Sequence, residues 1–190
     1  MKLTTKGLAQ TALLLAICIV SQYFKNLSVY ITGPIVNTTI IIAVLAVGLW
    51  SGVLISIVAP ITAFFFTGSP IMAAIPLMFF VVMAGNAILA VSVWYFQEKQ
   101  SFKWRLPAGL VVGSVLKAIF MGAVVVLIIL PIFGQNVASK LPKPEALPKV
   151  LATAKVTFSI TQLITALIGS VLAYIIWIPL KKYLKSGQDL

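Results

Sequence analysis

Residues 106–130 read LPAGLVVGSVLKAIFMGAVVVLIIL. A helix that crosses a bilayer needs about 20 mainly apolar residues. This stretch supplies them with one ionisable side chain, Lys117, near its middle. A lysine at that depth costs about 2.5 kcal/mol or more, so such groups face a bundle interior or an aqueous cavity and take a partner. The three acids, Glu98, Glu145 and Asp189, all fall in polar connections or the tail. An ammonium without a counter-ion invites an anionic guest, or a ring of carbonyl and amide oxygens. The competing reading is a lysine that snorkels along its four-carbon stem to an interface, a poor reach from mid-span.

The composition agrees. The chain is 61% hydrophobic and 9% charged, with mean hydropathy +1.13, where a soluble domain carries about 25% charged residues. It reads as an all-α integral membrane protein, one domain over residues 1–190 with six transmembrane helices. The net charge of +11 belongs to segment ends, where basic residues meet lipid headgroups and set orientation, so nucleic acid is no partner. The one cysteine, Cys18, lies in an apolar run, and there is no histidine. Disulfides, cysteine metal sites and general acid–base chemistry therefore lack their residues. No cofactor and no metal are expected, and no GxxxxGK[ST] phosphate loop occurs.

Spans are expected at about 8–24, 35–49, 52–66, 71–96, 107–130 and 156–180. The first begins after a short basic stretch, and the absence of a clear small-residue cleavage site before Lys25 makes it a retained helix. Its Ala9, Ala12 and Ala16 form a small-residue stripe that lets another helix approach closely, in this chain or a partner. Gly33-Pro34 signals a turn inside a connection from Lys25 to Asn37. The knot Gly48-Leu49-Trp50-Ser51-Gly52 divides the next apolar block, and Thr67-Gly68-Ser69-Pro70 reverses the chain. In the fourth span Phe79, Met83 and Asn86 share a face. Asn86 either joins helices by hydrogen bonds or meets a ligand. Residues 131–155 form the longest polar connection, whose Pro142, Pro144 and Pro148 argue against continuous helix and whose length suggests a lid or binding loop. The last span sets Ser159, Gln162, Thr165 and Gly169 on or near one face.

With six spans both termini share a side with the connection after span four. That side holds Lys2, Lys6, Lys99, Lys103, Arg105, Lys181, Lys182 and Lys185; the other holds Lys25, Lys140, Lys143, Lys149 and Lys155. The excess favours cytosolic termini in a multi-pass protein of the cell membrane, with the first, third and fifth connections outward.

Several of these residues carry a resemblance. Ala12-Leu13-Leu14-Leu15-Ala16 has the form AxxxA. The runs Gly85-Asn86-Ala87-Ile88-Leu89-Ala90 and Thr161-Gln162-Leu163-Ile164-Thr165-Ala166-Leu167-Ile168-Gly169, with Lys117 between them, complete it. The chain resembles the substrate-binding S component of an energy-coupling factor (ECF) transporter, a small six-helix protein that captures vitamins or other micronutrients. The resemblance implies capture from outside under the outward connections, then toppling in the membrane to release the ligand inside. Its partners would be a transmembrane T component, met through the AxxxA helix, and two cytosolic ATPases; the chain itself would be no enzyme. Lys117 would complement charge, Asn86 and Gln162 would hydrogen-bond, and Phe79 and Met83 would supply apolar wall. Tyr30 and Asn37 would contribute from the outer side. A carboxylated nutrient such as pantothenate or lipoate would fit. Two other classes stay open: a self-sufficient carrier or channel, and an accessory membrane subunit whose Lys117 and Asn86 satisfy each other.

Overall fold

A computed structural model describes residues 4–24 and 28–186; Lys2, Lys25 and Asp189 of the charge reading lie outside them. Helix α1 (Thr5–Tyr23) starts where the Thr4 hydroxyl accepts the Gly7 N–H at 3.1 Å, an N-cap that satisfies one of the helix's orphan donors. Ser28 caps α2 (Val29–Ala46) in the same way through the Tyr30 N–H. A tight turn at Gly48, φ 130°, leads into α3 (Leu49–Thr67), and Gly68, φ 54°, ends it. Both conformations are ones that side chains beyond glycine rarely adopt. The chain turns back through the short α4 (Pro70–Ala74) into α5 (Leu77–Lys99) and α6 (Arg105–Met121). Beyond Met121 the helix widens into a π-helical stretch, Gly122–Ile129, and ends in α7 (Leu130–Phe133). Two 3₁₀ turns, Gly134–Lys140 and Pro144–Ala146, precede α8 (Leu147–Thr157) and the long α9 (Ile160–Ser186). The described residues contain no strand, and six of their helical stretches are long and apolar enough to cross a membrane.

The structure departs from the sequence expectation in four places. Gly33-Pro34 is no turn but lies inside α2. Gly33 is there for packing: a β-carbon on it would fall 2.9 Å from Thr165 Cβ of α9. Pro34 forfeits one helical donor, a loss membrane helices tolerate when neighbours re-satisfy the backbone, and its carbonyl accepts the Thr38 hydroxyl at 2.8 Å. The span expected at 71–96 is broken at Ile75-Pro76 into α4 and α5. The segment 131–155 holds no continuous helix, as its prolines imply, but it is folded into short helical pieces, with Pro131, Pro144 and Pro148 in first turns, where a missing N–H costs nothing, and with Pro142 between pieces. Finally, α9 begins at Ile160 rather than Val156.

Two hydrophobic clusters stack along the bundle. One fills the end where α1 begins and α9 finishes, the terminal end, with Ile40, Ile41, Ile55, Leu89, Val93 and Trp177. The other fills the distal end, where Met78, Met121, Val125, Ile129, Val137 and Phe158 bury α4, the π-helical stretch and the segment after it. A layer of polar side chains lies between them.

Candidate functional site

The polar layer is built by three mid-helix residues. Lys117 of α6 is 2% exposed, and its ammonium donates to Asn37 Oδ1 of α2 at 2.6 Å and to Asn86 Oδ1 of α5 at 2.8 Å. Snorkelling is thereby ruled out, and the ring of amide oxygens is half realised. Close backbone crossings set this geometry. A β-carbon on Gly169 of α9 would lie 2.7 Å from Asn37 Cβ and 2.7 Å from the Pro34 carbonyl oxygen. Thr38 also donates to the Gly169 carbonyl at 3.0 Å. On the other side, Gly85 of α5 lets Met121 and the Lys117 stem lie against the helix. Glycines at the crossings thus bring Asn37 and Asn86 within reach of one ammonium.

Lysine can only donate, so it fixes how both amides are turned. Their oxygens face Lys117, which leaves the two NH₂ groups as donors for other acceptors. The third N–H of the ammonium is a donor too. These groups line a cavity of about 90 Å³. Gln162 and Thr165 of α9, Gln22 of α1, and the apolar Val82, Pro60 and Met72 complete its wall. Among the described residues no acidic side chain lines it. A donor-rich, cationic and carboxylate-free pocket selects acceptors, above all anionic ones. Nutrient-sized pockets run to about 300–1,000 Å³, so the walls must part to admit such a guest.

The remaining site expectations fall elsewhere. Phe79 shares the Asn86 face but sits two turns nearer the distal end, edge-on to Phe64 with ring centroids 5.2 Å apart. Met83 is turned about 60° from Asn86 around the helix; Val82, one turn from Asn86, takes the place on the wall. Tyr30 is half-exposed, with its hydroxyl 3.5 Å from that of Thr161, and is not part of the lining. Gln22 and Thr165 are lining residues that sequence reasoning did not assign to the site. The signal for Gln22 was a weak one, an amide within an apolar run but near its end.

A wider crevice of about 780 Å³ opens at the terminal end between α1 and α9. Its lysines, Lys6 and Lys181, are exposed, and no buried charge converges on it. Size alone favours this crevice, whereas the chemistry favours the Lys117 cavity.

The stripe of Ala9, Ala12 and Ala16 is exposed on α1 among the described residues. Among the described residues no group of three or more potential metal ligands gathers.

A family model for the substrate-specific component of ECF transporters matches residues 6–181. Comparison with curated proteins and with solved structures gives no match.

Proposed function

The chain belongs to the family of ECF transporter substrate-specific components, and we propose that it captures a small anionic or carbonyl-rich nutrient in the Lys117 cavity. It is a transport subunit of the membrane, not an enzyme. One observation carries the ligand chemistry: a buried mid-span lysine held by two amide oxygens, in a cavity without a carboxylate. A carboxylate entering there would receive the third ammonium N–H and the amide donors of Asn37 and Asn86, with Gln162 beside them. Each charge-assisted bond contributes about 1.5–3 kcal/mol. Pantothenate and lipoate carry such a group on an otherwise apolar or neutral body. Val82 and Met72 supply apolar wall in the place first expected of Phe79 and Met83.

Family membership supports the rest of the cycle. The partners are a T component and two ATPases, which supply the work that this chain's missing phosphate loop cannot. The exposed alanine stripe suits the docking of a helix, because small residues let backbones approach closely. The charge count supports cytosolic termini, with the segment 131–155 outward over the cavity. Delivery follows by toppling against the T component.

The deciding experiment is mass spectrometry of small molecules released when protein purified in mild detergent is denatured. A stoichiometric anionic or carbonyl-rich nutrient is expected from the wild type and none from Lys117→Ala, which should still elute as a folded monodisperse species. A cationic nutrient, or one bound equally by Lys117→Ala, would overturn the assignment.

A further inference from the structure

Helix α1 is attached to the bundle in an unusual way. Its buried residues are Gly7, Thr11, Cys18, Ser21 and Gln22, none of them a large apolar side chain; Cys18 joins the terminal core, and the half-buried Leu14 and Leu15 pack against that core. What ties α1 to α3 is two polar clasps. At the terminal end the Thr11 and Ser51 hydroxyls meet at 2.8 Å. At the other end Gln22, 2% exposed, donates through Nε2 to the Ala59 carbonyl at 3.0 Å and accepts the Thr62 hydroxyl at 2.6 Å. Gln22 is also the one residue of α1 that lines the Lys117 cavity, where Ala59, Pro60 and Ala63 of α3 lie beside it. The exposed alanine stripe is carried on the same helix, on a different face.

We propose that Gln22 is a positioning residue that sets the docking face of α1 from inside the ligand cavity. The inference rests on the cavity and docking roles given above but concerns a link that neither requires. Intramembrane hydrogen bonds of this kind are individually weak, so a clasp at the cavity wall is readily exchanged. A guest that offers acceptors to the Gln22 amide, or pushes it from Ala59, loosens the cavity end of α1 and moves the stripe with it. The Thr11–Ser51 clasp stays closed and acts as the pivot.

Cys18, the chain's one cysteine, is buried one turn from Gln22, with its sulfur 3.6 Å from Gln22 Nε2, so it reports on that clasp without a second probe. The full chain in phosphatidylcholine–phosphatidylglycerol nanodiscs is treated with N-ethylmaleimide, with no nutrient added. Gln22→Leu, which keeps the bulk and removes both bonds, is expected to label about tenfold faster than wild type, as local opening becomes more populated. Thr62→Val removes one bond from the partner side with little change of shape and is expected to label faster too, by about threefold.

The second readout is affinity for the T component in complex with its ATPases. Gln22→Leu and Thr62→Val should change it by about fivefold or more, although neither residue lies on the stripe. Wild-type labelling in both variants, or faster labelling with unchanged affinity, overturns the proposal. Should Gln22→Leu not fold, Thr62→Val decides alone. The test uses no nutrient, so it fails independently of the ligand assignment, which the released-molecule experiment judges.

Discussion

The terminal and distal halves of the bundle bury apolar side chains by different means. The terminal half is packed from long α-helices, and Ile40, Ile41 and Ile55 are wholly enclosed there. The distal half buries Met121, Val125 and Val137 just as fully, but between a five-residue helix, a π-helical stretch and two 3₁₀ turns. Equal burial does not make equal rigidity, because short helical pieces contribute few cooperative backbone bonds. The polar layer of Lys117 lies at the boundary, so a guest has one firm wall and one compliant one. Such a division lets a cavity of about 90 Å³ enlarge without loss of the fold.

Substitutions can break or sharpen this contrast. The largest effect is expected from Gly169→Val, whose β-carbon would lie 2.7 Å from backbone oxygen at Pro34. Such overpacking against a backbone costs about 3 kcal/mol or more, and size-exclusion chromatography should show no monodisperse species. Val93→Ala removes the same two methyls from the terminal core that Val137→Ala removes from the distal one. It should cost about 2–3 kcal/mol by leaving a cavity that regular helices cannot collapse. In the distal half, Val137→Ala should cost about 1–2 kcal/mol, because irregular pieces relax around the gap. Thermal unfolding in one detergent compares the two, and equal losses would erase the contrast. Hydrogen exchange gives a finer measure: amides of 134–157 should exchange about tenfold or more faster than those of 40–44. The smallest change is expected from Pro148→Ala, within about 0.5 kcal/mol, since a first-turn proline has no bond to restore.

What the sequence disclosed follows the same division. Lys117 and Asn86 stood out because an unpaired polar group in lipid is costly wherever the helices lie, and that cost is local. The break at Gly48 was equally legible, since a glycine between apolar runs needs no distant partner. Gly33-Pro34 misled for the opposite reason. Its local chemistry is that of a turn, and only Thr165, 132 residues further on, makes that glycine a helix-crossing residue. The prolines of 131–155 were legible as breaks in continuous helix, but the short pieces that begin at Pro131, Pro144 and Pro148 were not, since the residue that forbids helix interiors also starts helices. The cavity wall depended on the angular set of α5: Phe79 and Val82 both satisfy an apolar pattern, and only the packed neighbours choose between them. Gln22 was passed over because an amide near a helix end reads as a boundary residue until α3 closes over it.

The glycine crossings have a mechanical consequence. Where α2 and α9 meet, Gly33 lies against the Thr165 side chain and Gly169 against Asn37 Cβ and the Pro34 carbonyl, so the pair can neither slide nor twist without collision. The two helices form a single strut through the molecule, with Asn37 fixed upon it. Displacement elsewhere in the bundle is then measured against this strut. Any swing of α1 or yielding of the distal pieces moves relative to Asn37, which keeps one wall of the cavity in place while the others travel.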